Sequence, residues 1–174
     1  MSESVQEHRE AAPESVRVAV LTISDTRTPD TDTGGDVVQE TMREAGHEVV
    51  AREIVRDEAT SIRATLVDLL ARSNVDAVVT TGGTGISARD TTYEVVERMV
   101  EKRLDGFGEL FRMLSYEEVG AAAVLSRALA GAVGAKFVAS LPGSRNAVRL
   151  CMEKLLVPEI AHIVFELRKH QEKG

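Results

Sequence analysis

Short, unbroken apolar runs alternate along this chain with segments whose apolar residues recur at helical spacing, and that alternation restricts the fold more than any other feature. The runs are "VRVAVLTI" (16–23), "HEVVAREIV" (47–55), "VDAVVTT" (75–81) and "AKFVASL" (135–141). Each is strand length, and the first is β-branched and apolar at nearly every position, as expected of a strand covered on both faces. Between and after them, Val37, Val38, Thr41, Met42 and Ala45, then Ile62, Leu66, Leu69 and Leu70, then Val95, Val96, Met99 and Val100, mark helices. A further helix carries Ala147, Val148, Cys151, Met152, Leu155 and Leu156, and Pro158 opens a last one. Residues 106–131 carry no strand signal and are expected to form two or three short helices. Within them, "AAAVLSRALA" is apolar nearly all round and is expected in the core or in a subunit contact. Strands and helices in this order imply an α/β fold, a three-layer α/β/α sandwich around a mostly parallel sheet. The chain reads as a flexible polar tail over 1–15 and a single domain over 16–174.

The 174 residues suffice for one sizeable core. Aromatics are 3% with no Trp, so the core is aliphatic and few rings remain for stacking on bases. Net charge is −7 and no long basic stripe appears, which argues against nucleic acid as a partner. No apolar run is long enough to span a membrane, and "MSESVQEHREAAPES" lacks the basic and apolar regions of a secretory signal. The single Cys151 falls on an apolar helix face and reads as core. A cytoplasmic location fits these features. The four histidines show no metal-ligand spacing.

In a parallel sheet the C-terminal strand ends share one edge, where ligands bind. Polar residues collect after those ends: Ser24 and Asp25, then Asp57, then "GGTG" with Asp90, then "PGS" with Asn146. Each also has a structural explanation. Asp57 stands just before a helix, where an acid complements the dipole. Thr91-x-x-Glu94 is a capping box that leaves Asp90 free for other work. Ser144 is a good N-cap, and Asp25 could shape a turn.

The glycine loop "TTGGTGISARD" is not a Walker A loop, since no Lys follows its glycines. Its loose G-x-G-x-x-A match lacks the second strand ending in an acid that a nicotinamide site needs. No nucleophile elbow or Ser/His/Asp set is present. What remains is a loop of N–H groups and hydroxyls at a helix N-terminus, suited to phosphate. Carboxylates beside a phosphate call for a divalent cation between them, and Mg²⁺ is the natural one. The matching reaction class is phosphoryl or nucleotidyl transfer.

Taken together and in order, "SDTRTPDTDTGG", "TTGGTGISARDTT", "DGFGELFR", "LSRALAG" and "LPGSRNAV" resemble the MoaB/Mog family of molybdenum cofactor biosynthesis. The resemblance runs from about Val16 to the C-terminal helix, and "RTPDTDT" and "GFGELFR" bring it closer to the MoaB branch. It implies a molybdopterin-binding-like fold and adenylylation of molybdopterin by Mg-ATP with release of pyrophosphate. Hand-over to a MoeA-type molybdate insertase would follow. It further implies a homotrimer or hexamer, with Ala121 to Ala130 as one contact. Carried over by position, Asp57 and Asp90 are the catalytic acids and the Mg²⁺ candidates. Gly82, Gly83, Thr84, Gly85, Ser87 and Ser126 correspond to the molybdopterin and phosphate site. Ser24, Asp25, Pro142, Gly143, Ser144 and Asn146 correspond to the nucleotide site. A non-catalytic molybdopterin carrier is the alternative, because the same glycine loop would serve it. The related insertase fold is disfavoured, since this chain lacks that protein's additional domains.

Overall fold

The structure, a computed structural model, describes residues 12–169. Most of the polar stretch read as a tail, residues 1–11, lies outside these, as do His8 and His170. The strands are β1 (Arg17–Ile23), β2 (Glu48–Val55), β3 (Ala77–Thr81), β4 (Lys102–Arg103), β5 (Leu129–Val133) and β6 (Lys136–Leu141). The helices are α1 (Thr33–Glu44), α2 (Ala59–Ala71), α3 (Thr92–Met99), α4 (Asp105–Val119), α5 (Arg145–Cys151) and α6 (Val157–Arg168). One mixed sheet has the order β2-β1-β3-β6-β5-β4. β2, β1, β3 and β6 are parallel, and β5 and β4 are added antiparallel. All four expected strands are present within two residues of their expected bounds.

Alternation along each central strand builds two cores, one per face. Val18 and Val20 of β1, Ala77 and Val79 of β3, and Phe137, Ala139 and Leu141 of β6 face one cluster, with α1, α4, α5 and α6. Ala19, Leu21, Ile23, Val78 and Val138 face the other, where Ile62, Leu66 and Leu69 of α2 and Val95 and Val96 of α3 cover them. Cys151 is buried in the first cluster, and burial pushes its thiol pKa up, as expected for a core residue.

Two expectations for residues 106–131 are corrected. Residues 129–133 are a strand, not a helix. Ala130, Gly131 and Ala132 have little intrinsic strand preference. The strand exists because a two-residue turn, with Gly134 at φ +56°, folds it back onto β6 with Val133 opposite Lys136. The apolar stretch 121–130 also divides. Ala121 to Leu125 lie in a 3₁₀ turn (Gly120–Leu125) that leaves Val124 81% exposed, while Ala128 to Ala130 are buried. At the other end of the fold, Pro158 stands in the first turn of α6, as expected, but the chain does not break before it. A π segment (Met152–Leu156) joins α5 to α6 ahead of it. Proline has no N–H for the carbonyl four residues back, and the looser turn takes up that mismatch.

Candidate active site

Chain direction sets the location. After β1 the chain crosses to β2 on one side, and after β2 it returns to place β3 on the other, so the order reverses between β1 and β3. The loops leaving β1, β2, β3 and β6 meet above that point. Between them lies a crevice of about 90 Å³ lined by Thr22 and Ser24 at the end of β1, Thr81 and Gly82 at the end of β3, Gly34 of α1, and Gly143.

The glycine loop is shaped by two carboxylates packed against its α-carbons. Gly83 has φ +64°, and a Cβ there would come within 2.6 Å of Asp57 Oδ2 and 2.1 Å of Thr92 Oγ1. A Cβ on Gly85 would come within 2.6 Å of Asp90 Oδ2. Glycine is therefore required at both positions by the acids, and at Gly83 by the left-handed turn as well. Asp57 and Asp90 lie 33 positions apart in sequence and flank one short loop.

Asp57 is buried at 8% exposure. Its Oδ1 accepts the Thr91 N–H at 3.1 Å and the Thr91 hydroxyl at 3.0 Å. The dipole role suggested by its sequence position is not how it is used. Glu58 is the N-cap of α2, and Asp57 turns away to hold the start of α3. The capping box at Thr91 is likewise absent. Thr91 is the N-cap residue of α3, but its hydroxyl serves Asp57, and Glu94 pairs with Arg127. Asp90 Oδ2 accepts the Ser87 N–H at 2.9 Å. Neither Asp57 nor Asp90 forms an ion pair among the described residues. Each keeps one oxygen, Oδ2 of Asp57 and Oδ1 of Asp90, without a hydrogen bond among them.

The other expected residues divide between holding loops and facing the crevice. Ser24 Oγ accepts the N–H groups of Thr26 and Arg27 at 3.2 and 3.1 Å and so fixes the turn after β1. Asp25 ties three loops together. Its Oδ1 accepts the Asp57 N–H at 3.3 Å, and its Oδ2 accepts Arg89 Nη2 at 2.6 Å. The Arg89 guanidinium holds the Asp25 carboxyl below its ordinary pKa. Ser87 accepts the Arg89 N–H through its hydroxyl at 3.3 Å, and Thr84 is buried. Gly143 abuts Gly82, and Pro142 precedes it after β6. Ser144 caps α5 by accepting the Ala147 N–H at 3.3 Å. Asn146 is exposed and lines a separate crevice with Glu118 and Glu153, away from the glycine loop. Ser126 ends the 3₁₀ turn, and its N–H bonds Ala123 O.

Sequence reasoning missed two residues. Arg127, beside Ser126, makes the contact to the loop. It donates to Gly85 O at 2.8 Å, pairs with Glu94 and lies over the Tyr93 ring at 4.2 Å. A lone arginine inside the apolar "AAAVLSRALA" was its signal, since a charge among apolar neighbours needs a partner. Asp32 is 1% exposed and caps α1 through the Gly35 N–H at 3.0 Å. It also accepts the Thr22 hydroxyl at 2.8 Å and pairs with Arg52 at 2.9 Å. Its signal was an acid three residues before Gly35 at the start of the α1 periodicity.

Among the described residues no three His, Cys, Asp or Glu side chains gather as a metal cage. Mg²⁺ does not need one, because it is held by one or two carboxylates with waters and substrate phosphates. The free oxygens of Asp57 and Asp90, the cradle a Cβ would fill, and the buried unpartnered Thr92 hydroxyl beneath Gly83 fit such an ion with a phosphate.

Comparison with known proteins agrees with this architecture. Residues 19–162 match the family model described as "Probable molybdopterin binding domain". Molybdenum cofactor biosynthesis protein B of Bacillus cereus is 50% identical over 167 residues, 95% of this chain and 99% of its own. The solved structure of the tungsten cofactor synthesizing protein MoaB from Pyrococcus furiosus matches with a TM-score of 0.82 at 39% identity, covering 90% of this chain and 99% of that one. The molybdopterin biosynthesis Mog protein from Mycobacterium ulcerans matches at 0.77 and 26% identity, covering 87% and 99%. With the family model spanning most of the chain and the MoaB proteins the more similar of the two kinds, the chain belongs to the molybdopterin-binding family of molybdenum cofactor biosynthesis proteins, on its MoaB branch.

Proposed function

We propose that this protein binds molybdopterin and transfers the adenylyl group of Mg-ATP to the pterin's phosphate, releasing pyrophosphate. The observation that carries this reading is the pair of carboxylates packed on Gly83 and Gly85 above the β1/β3 reversal. A simple phosphate-binding loop has no use for two acids, which repel the ligand. A loop that must bring together two phosphates and a cation does.

In this reading a pterin phosphate oxygen attacks the α-phosphorus of ATP. A new O–Pα bond forms, the bond to the bridging oxygen of the β-phosphate breaks, and its electron pair leaves with pyrophosphate. Asp57 fixes the start of α3 through Thr91, and Arg127 holds the far end of the loop at Gly85 O. Asp57 Oδ2 and Asp90 Oδ1 would hold Mg²⁺, which when bound neutralises charge on the phosphates. Neither acid acts as a covalent nucleophile.

The family context supports a cytoplasmic homotrimer or hexamer that passes the adenylylated pterin to a MoeA-type insertase. Leu110, Met113, Tyr116 and Val119 on α4 continue into Val124 and Leu125 of the 3₁₀ turn as an exposed apolar stripe, and a stripe of this kind serves subunit contact. No described helix is long and apolar enough to cross a membrane.

The deciding experiment measures pyrophosphate release from Mg-ATP with and without molybdopterin. Release that requires the pterin is expected. Tight pterin binding without release would replace the enzyme with a carrier.

A further inference from the structure

A second crevice, of about 560 Å³, adjoins the first on the β2 side of β1. The two share Ser24 and Arg27 in their walls, so they lie side by side. At about 90 Å³ the switch-point crevice is too small for two phosphorylated substrates, because ligand pockets run to roughly 300 Å³ and more. The second falls within that range. Arg27, Arg52 and Arg56 line it, with Asp25 as its acid and Pro29, Ile54 and Val55 as its apolar wall.

The pairings decide what charge this crevice offers. Arg52 is committed to Asp32 and Asp36, at 2.9 and 2.7 Å. Asp25 is committed to Arg89. That leaves Arg27, whose Nη1 donates to the neutral Thr31 carbonyl at 2.8 Å, and Arg56, which has no ion pair among the described residues. In a chain of net charge −7, two guanidinium groups without an ion pair among the described residues line one recess, whose only carboxylate near Arg56, Asp25, is already bonded to Arg89. Guanidinium groups match phosphate geometry.

We propose that this crevice, through Arg27 and Arg56, holds the β- and γ-phosphates of the nucleoside triphosphate and then the departing pyrophosphate. The assignment rests on the adenylyl-transfer reading above. In a displacement at phosphorus the attacking and leaving oxygens stand roughly in line. The glycine loop, where the pterin phosphate is placed, lies on the β3 side of β1. The arginine crevice lies on the β2 side, where an in-line leaving group would emerge. Arg27 and Arg56 therefore take up the charge that develops on the leaving oxygen, while the acids stay at the glycine loop.

The test is calorimetric titration of the full chain with inorganic pyrophosphate and, separately, with AMP, using wild type, Arg56→Gln, Arg56→Lys and the Arg27→Gln/Arg56→Gln double variant. Both arginines are exposed, and thermal denaturation checks that each variant is folded. Pyrophosphate affinity should fall about tenfold in Arg56→Gln and further in the double variant, the scale of losing a charge-assisted hydrogen bond. AMP affinity should hold, and Arg56→Lys should recover part of the loss. Unchanged pyrophosphate affinity, or an equal loss for AMP, overturns the assignment. Turnover separates it from the reading beneath it. If wild type releases pyrophosphate from ATP and Arg56→Gln keeps the same KM for ATP, the crevice assignment fails and adenylyl transfer stands. If wild type releases none while the variants still lose pyrophosphate binding, adenylyl transfer fails and the anion site stands.

Discussion

At the N-terminal edge of the sheet, Asp76 takes three hydrogen bonds from Arg17, at 2.8, 3.1 and 2.7 Å, and one from Arg168 at 2.6 Å. At the C-terminal edge, Asp57 and Asp90 take only neutral donors, the Thr91 N–H and hydroxyl and the Ser87 N–H, and each keeps an oxygen free of hydrogen bonds among the described residues. Asp76 and Asp57 are both buried, and all three acids stand just outside strands or helices. The difference is therefore one of saturation. Asp76 joins the start of β1, the start of β3 and the end of α6, and nothing is left for a ligand. The acids of the opposite edge hold the loops through one oxygen each and keep the other, against the glycine loop, without a hydrogen bond among the described residues. Strand direction puts a saturated acid at one edge and, in the proposed function, the chemistry at the other.

The largest effect that could break this comparison is on turnover. Asp90→Asn keeps the shape of the side chain and an acceptor for the Ser87 N–H, so folding and Tm should be unchanged. Pterin-dependent pyrophosphate release should fall about 10²–10³-fold, the scale of removing one strong electrostatic contribution to a transition state. Unaltered turnover in a folded variant would remove Asp90 from the mechanism and leave it a loop brace.

At the saturated edge the same chemical change should act on stability alone. Burial raises the Asp76 pKa, but the Arg17 and Arg168 hydrogen bonds outweigh it and hold it at about 2. Because the folded value lies below the unfolded one of about 3.9, the stabilisation is fully present above that unfolded value. It is lost as pH falls from about 4 through 2. Asp76→Asn should cost about 2 kcal/mol at neutral pH and flatten the acid limb of stability over that window, with kcat unchanged. Urea denaturation as a function of pH reads this directly. A drop in kcat equal to that of Asp90→Asn would show that the two edges are not separate.

How much of this was visible in the sequence follows the range of the interactions. β1 and β3 were legible because burial on both faces leaves apolar, β-branched runs, and β2 and β6 because short apolar runs of strand length remain between helical patterns. β5 was not, because Ala130 to Ala132 carry no such preference and a turn alone imposes the strand. At the site, Gly82 to Gly85, Asp57 and Asp90 could be picked out from where they stand after strand ends. Their partners could not. Asp25 meets Arg89 across 64 positions and Arg127 meets Gly85 across 42. The local rules for Thr91 and Glu94 pointed to a capping box, and both side chains went instead to distant partners that local spacing does not encode.

Arg127 sharpens the comparison from within the functional edge, since it braces the loop without reaching the crevice. Arg127→Gln loses the fork that spans Gly85 O and Glu94 and the cation over Tyr93. Turnover under subsaturating pterin should fall about tenfold, because a small displacement of a positioning group is costly. Arg127→Lys should recover little of it, since an ammonium cannot reproduce the planar fork. Full recovery by lysine would reduce the role to charge.

The smallest effect concerns Ser144, the residue on which the two descriptions of the C-terminal edge compete. As an N-cap, its hydroxyl accepts the Ala147 N–H, and Ser144→Ala should cost about 1 kcal/mol of stability. As part of the nucleotide site, it would also contact substrate. Ser144→Asp separates the two. Aspartate is an equally good cap and favours the positive end of α5, so stability should be held or raised. It also places a negative charge where a phosphate would lie. Unchanged Tm with a raised KM for ATP would place Ser144 at the nucleotide. Unchanged Tm and unchanged KM would assign it to the helix alone, and leave the nucleotide to the glycine loop and the arginine crevice.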